Sequence, residues 1–146
     1  MRAIGRRQIC PKTLRGVWEA ELTNLVPGIT LHHIRAGKDA AKAPPPNSTG
    51  GPFATIVTWG LMTALADAKA PAVTRFSAVI ADESHNMKSS EAARTIAAKK
   101  IIRKAARVAL LSGTPSLNRP FELYEQARGL GWCKGSRPPA LMRLWP

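Results

Sequence analysis

The stretch SAVIADESHNMK, residues 77–88, ends an apolar run on two carboxylates, with a histidine two positions further on. Asp82 and Glu83 at the end of an apolar strand disfavour folding unless water or a cation reaches them. In phosphoryl hydrolysis such a pair divides the labour. The aspartate holds Mg2+, usually through its water shell, and the glutamate orients or deprotonates the attacking water. His85 is spaced to hydrogen-bond across to a neighbouring strand end. The run LLSGTP offers one: Ser112, Gly113 and Thr114 provide small hydroxyl side chains and a tight turn before Pro115. A D-E-x-H tetrapeptide alone is short and arises by chance, and an acidic turn after a strand is common. The specificity lies in the combination of apolar strand, DESH, one helix, apolar strand and SGTP.

These residues need a scaffold that brings two strand ends together. Three runs read as strong strands: FATIVT at 53–58, RFSAVIAD at 75–82 and RVALLSG at 107–113. ITLHHI at 29–34 alternates enough for a fourth, and RRQIC at 6–10 reads as a weak, short one. Helices are expected over about 14–25, 61–68, 90–107 and 121–130. The first shows apolar residues Leu14, Val17, Trp18, Leu22 and Leu25 at helical spacing, with Thr13 as its cap and Pro27-Gly28 as its stop. The third takes Ser89 or Ser90 as N-cap and carries Lys99, Lys100, Arg103, Lys104 and Arg107 on one side, a candidate nucleic-acid contact or a solvated face. Residues 36–52 are rich in Ala, Pro and Gly and read as a mobile loop. Apolar strands alternating with helices predict an α/β fold, a mostly parallel sheet with helices on both faces. Function in such sheets sits beyond the carboxyl ends of the strands, where DESH and SGTP both fall.

Length and charge bound the reading. A chain of 146 residues is about one domain. Its 22 Lys and Arg against 9 Asp and Glu give a net charge of +13, which favours a polyanionic partner, nucleic acid before an acidic membrane surface. Cys10 and Cys133 lack metal-binding spacing and read as lone thiols of a cytosolic or nuclear protein rather than a zinc site. The basic start MRAIGRRQIC lacks the apolar core of a signal peptide, and no run reaches membrane-span length.

Four segments together resemble the first RecA-like lobe of the Swi/Snf-related ATPases, a branch of helicase superfamily two. ICPKTLRGVWEAEL resembles motif Ia of that family, IVTWGLM motif Ib, VIADESHNMKS motif II, and LLSGTPSLNRPFELYEQ motif III with its extension. DESH and SGTPSLNRPFELY resemble the annealing-helicase, fork-remodelling subgroup in particular. The extension argues against an RNA helicase of the DEAH type. The resemblance spans residues 9–130, with 1–8 a poorly defined start and 131–146 a tail that does not match. It implies ATP and Mg2+ as cofactors, duplex or branched DNA as partner, no membrane, and a nuclear or, in a prokaryote, cytoplasmic location. By the same resemblance, Asp82 would be the Mg2+ ligand and Glu83 the catalytic base. His85, Ser112, Gly113 and Thr114 would couple nucleotide state to the DNA grip. Lys12, Thr13 and Thr58 would track the DNA backbone, and Lys88 matches a basic position of unassigned role.

The sequence departs from that pattern in its phosphate loop. No G-x-x-x-x-G-K-[ST] run precedes the first motif, and Gly37-Lys38, followed by Asp39, is a decoy. Arg6, Arg7 and Gln8 stand where an apolar strand is expected. The expectation is a piece of a lobe, without the second lobe and its arginine fingers, inactive alone and open at a sheet edge. The alternative is a non-catalytic basic nucleic-acid-binding module or a degenerate pseudoenzyme.

Overall fold

A computed structural model of the chain describes residues 5–42, 50–67, 76–87, 89–114 and 121–131. Five strands, β1 (Gly5–Cys10), β2 (Thr30–Ile34), β3 (Phe53–Thr58), β4 (Ala78–Ala81) and β5 (Arg107–Leu110), form one sheet. All pairs are parallel and the order is β2-β3-β1-β4-β5. Parallel neighbours need crossovers. These carry α1 (Arg15–Leu25), α2 (Gly37–Lys42), α3 (Met62–Asp67) and α4 (Ala93–Ile102), and α5 (Phe121–Gly129) follows β5. The α/β architecture read from the sequence is the one observed.

Side-chain alternation along the strands builds two cores. Ile9, Val57, Val79 and Ala81 pack on one face with Met62, Ala98, Ile101 and Ile102. Cys10, Ala54 and Ile56 pack on the other with Leu22 and the half-buried Trp18. Helices therefore cover both faces. β3 is buried along its whole length, as a strand flanked on both sides and both faces must be.

The weak first strand is the centre of the sheet. β1 pairs with β3 from Gly5↔Phe53 to Cys10↔Thr58 and with β4 from Arg6↔Ala78 to Ile9↔Ala81. Arg7 is fully buried there, its guanidinium 3.8 Å from the centroid of the Phe76 ring. The ring face offsets part of the charge burial, and its long stem supplies apolar volume that a shorter polar residue would lack.

Several local expectations change. α1 begins at Arg15 after a 3-10 turn at Lys12–Leu14, and Thr13 does not cap it. Of its apolar stripe only Leu22 is buried; Val17 and Leu25 are 55% and 73% exposed. The loop at 36–52 contains helix α2, tied at its start by the Asp39 carboxylate, which accepts hydrogen bonds from the Arg35 and Ala36 amides at 3.0 and 2.8 Å. Residues 43–49 of that loop lie outside the described residues. α4 runs only from Ala93 to Ile102, with Ala92 at its N-cap in place of Ser89 or Ser90. Lys99 leaves the expected basic side: it is buried and pairs with Glu125 of α5. Lys100, Arg103, Lys104 and Arg107 remain exposed, and Arg107 opens β5 rather than extending the helix.

Candidate active site

The acidic pair sits where β4 runs out. The Asp82 amide donates to the Ile9 carbonyl at 2.8 Å, prolonging the β1–β4 ladder by one bond. The next amide, Glu83, donates to Asp82 Oδ1 at 2.9 Å. Glu83 itself has φ of 50°, in the left-handed region that a side chain disfavours. Strain of this kind persists where neighbours over-determine the backbone. Here the Glu83 carbonyl accepts from the Asn86 amide at 3.0 Å and from Asn86 Nδ2 at 2.8 Å. The Ser84 amide donates to the Leu111 carbonyl at 2.8 Å. The turn thus leaves β4, reverses sharply and is stitched to the segment after β5, closing as a 3-10 turn over Ser84–Met87.

That stitching brings DESH and SGTP together. His85 Nδ1 lies 3.1 Å from Ser112 Oγ and 3.1 Å from Glu83 Oε2. A carboxylate oxygen only accepts, so pairing with Glu83 calls for a hydrogen on the imidazole, while the Ser112 hydroxyl can donate to or accept from the ring nitrogen. Ser112 Oγ in turn accepts from the Thr114 amide at 3.3 Å. Glu83, His85, Ser112 and Thr114 form one polar chain across the ends of β4 and β5, half-buried at Glu83, His85 and Ser112 and exposed at Gly113 and Thr114. Glu83 therefore has a water-facing carboxylate held by a neighbouring imidazole.

The other sequence-selected residues share this end of the sheet. Lys12 and Thr13 follow β1 and are exposed. Thr58 ends β3 opposite Cys10 but is only 6% exposed, which leaves little of its hydroxyl for a ligand. Lys88 lies outside the described residues.

Three further side chains bond the acidic turn. Trp18 Nε1 donates to Asp82 Oδ2 and Trp59 Nε1 to the Asp82 carbonyl, both at 2.8 Å. Gln126 Oε1 accepts from Ser84 Oγ at 2.6 Å, anchoring the acidic turn to α5. The only signal for the tryptophans was position: each lies shortly past the carboxyl end of a strand.

The residues fit Mg2+ as this chemistry would use it. Mg2+ is bound through one or two carboxylates, waters and substrate phosphates rather than by an all-protein cage. Asp82 offers hard oxygens, each with a second lone pair beyond its N–H partner. Among the described residues no group of three or more His, Cys, Asp or Glu is assembled to hold a metal. Gly37-Lys38 does not make a phosphate loop: Asp39 stands where that loop needs Ser or Thr, and its carboxylate turns back onto the Arg35 and Ala36 amides just ahead of α2. Among the described residues no helix is long and apolar enough to cross a membrane.

Residues 8–126 match the SNF2-related domain. The chain belongs to the SNF2-related family. It is 35% identical over 127 residues to the mouse DNA annealing helicase and endonuclease ZRANB3, a match covering 84% of this chain and 11% of that protein. It is 33% identical over 147 residues to the bovine SWI/SNF-related matrix-associated actin-dependent regulator of chromatin subfamily A-like protein 1, covering 90% of this chain and 14% of the relative. The SNF2-related region here thus spans a small part of the curated relatives it matches. Its fold is that of the Sulfolobus solfataricus SWI2/SNF2 ATPase core solved in complex with double-stranded DNA. That match has a TM-score of 0.65 and 19% identity, and covers 88% of this chain and 25% of that one.

Proposed function

We propose that residues 9–130 form part of the first ATPase lobe of a DNA translocase of the annealing-helicase kind, coupling ATP hydrolysis to movement on duplex or branched DNA. The observation that carries this reading is the Glu83–His85–Ser112 chain, which links a water-facing carboxylate to the end of the next strand. A purely binding module has no use for it. Mg2+, when bound with ATP, would neutralise phosphate charge. Asp82 would hold the ion. Glu83 orients the attacking water and accepts its proton. His85 fixes the Glu83 carboxylate toward that water and registers its position at Ser112, with Gly113 and Thr114 completing the turn. Lys12 and Thr13, both exposed, face the DNA strand. A nuclear location in a eukaryote, or the cytoplasm of a prokaryote, suits a DNA partner.

On this reading the 146 residues do not hydrolyse ATP alone, because no phosphate-loop sequence occurs in them. A phosphate-release assay with and without DNA is expected to give the same background for the wild type and Glu83→Gln. DNA-stimulated turnover that Glu83→Gln abolishes would show the chain to be active by itself. Anisotropy with labelled duplex and forked DNA tests the partner: affinity should fall steeply with salt. No binding to either at low salt removes DNA from the proposal.

A further inference from the structure

We infer that Trp18 is a positioning residue for Asp82, setting the direction in which its carboxylate presents a lone pair to a divalent cation, while Trp59 holds the backbone from which that carboxylate projects. This rests on the reading of Asp82 as the cation's ligand. Four hydrogen bonds converge on this one residue. Trp18 Nε1 reaches Oδ2 at 2.8 Å and the Glu83 amide reaches Oδ1 at 2.9 Å. Trp59 Nε1 reaches the backbone carbonyl at 2.8 Å, and the Asp82 amide is spent on Ile9. The donors come from different connections: Trp18 from α1 after β1, Trp59 from the 3-10 turn Trp59–Leu61 after β3. Neither carboxylate oxygen is free to rotate without losing a bond.

The chemistry of the donors sharpens the point. Indole N–H only donates, so Trp18 always meets the carboxylate as an acceptor. A hydrogen bond to an ionised oxygen is about twice as strong as a neutral one. Each oxygen keeps one lone pair, and these are the only directions left to an incoming cation. Packing alone does not require this arrangement, since a phenylalanine ring would fill most of the same space. Donors behind a ligand carboxylate typically change metal affinity by ~10–100-fold.

The arrangement also joins two parts of the site. Lys12 and Thr13 sit in the 3-10 turn that leads directly into α1, and Thr58 immediately precedes Trp59. Each proposed DNA-facing segment is therefore followed in its own connection by a tryptophan bonded to Asp82.

The test uses Mn2+ alone and the full chain, read by NMR of the indole N–H signals assigned with single Trp→Phe variants. Mn2+ is expected to broaden the Trp59 signal, Asp82→Asn to abolish that broadening, and Trp18→Phe to raise its midpoint at least about tenfold. Broadening that ignores Asp82→Asn, or is absent altogether, overturns the cation reading and the inference with it. Broadening lost in Asp82→Asn but with an unchanged midpoint in Trp18→Phe overturns the inference alone. Should Trp18→Phe fail to fold, hydrogen exchange of the Trp18 indole decides. Asp82→Ala should speed it about tenfold or more, and an unchanged rate overturns the inference.

Discussion

Ser84 Oγ donates to Gln126 Oε1 at 2.6 Å, and both residues are buried. This bond fastens α5 to the turn that carries the acidic pair. A buried hydroxyl left without its partner costs about 1–3 kcal/mol, whereas replacing both partners with apolar groups is nearly neutral. Gln126→Leu should therefore lower unfolding stability by about 1–3 kcal/mol. The double variant Ser84→Ala/Gln126→Leu should recover most of it. Urea denaturation of the four chains of the cycle measures this, and additive losses would remove the bond as the cause.

A second tie lies one residue away. Glu125 is 1% exposed and pairs with Lys99 of α4, with Arg128 Nη1 at 3.5 Å. Burial, then the charges of Arg128 and Arg103, push the Lys99 ammonium below its ordinary pKa. Removing one partner of a buried pair strands the other charge, at ~3–5 kcal/mol. Lys99→Met is expected at the low end, about 3 kcal/mol, because Arg128 stays near. Lys99→Met/Glu125→Leu should be far less destabilised than the single variant in the same denaturation measurement.

The strand runs, the crossover helices and the acidic turn were legible because each is written in a contiguous stretch. FATIVT and AVIA are apolar over consecutive residues, and the carboxylates follow directly. What the sequence hid depends on partners far along the chain. Arg6-Arg7-Gln8 reads as a broken strand until Phe76 is seen beside the Arg7 guanidinium. Lys99 reads as surface until Glu125 faces it. Trp18 looks like one more apolar member of a helical stripe, because periodicity registers its ring and not its N–H.

Glu83 holds a φ of 50°, a conformation that costs a non-glycine residue about 1–2 kcal/mol. Glycine adopts it freely. Glu83→Gly should thus be more stable than Glu83→Ala by about 1 kcal/mol, as read from urea midpoints, although both lose the carboxylate. Equal midpoints would mean that the turn relaxes when the side chain is removed.

Cys10 is fully buried at the end of β1. Burial first, then the Asp82 charge, pushes its thiol from 9.0 up to about 11, against a smaller opposing effect of Arg15. In a Cys133→Ser background, the folded chain at pH 8 should react with a disulfide reagent at least about tenfold more slowly than the chain in denaturant. The folded state keeps the proton longer, so this group's contribution to stability is complete below pH 9 and is lost as pH rises toward 11. A Cys10→Ala chain should lose less stability over that pH range.

The place of β1 in the sheet order has a consequence for how the fold is made. Its two neighbours are β3 and β4, so Gly5 waits for Phe53 and Arg6 for Ala78. During synthesis, residues 5–10 leave the ribosome long before either partner exists. The central strand then spends that interval unpaired, its ladder groups open to any other extended chain. Contacts of such long range form slowly, and exposed strand edges aggregate in that time. Arg6 and the buried Arg7 place two positive charges on that strand while it waits, where they repel a second copy of itself.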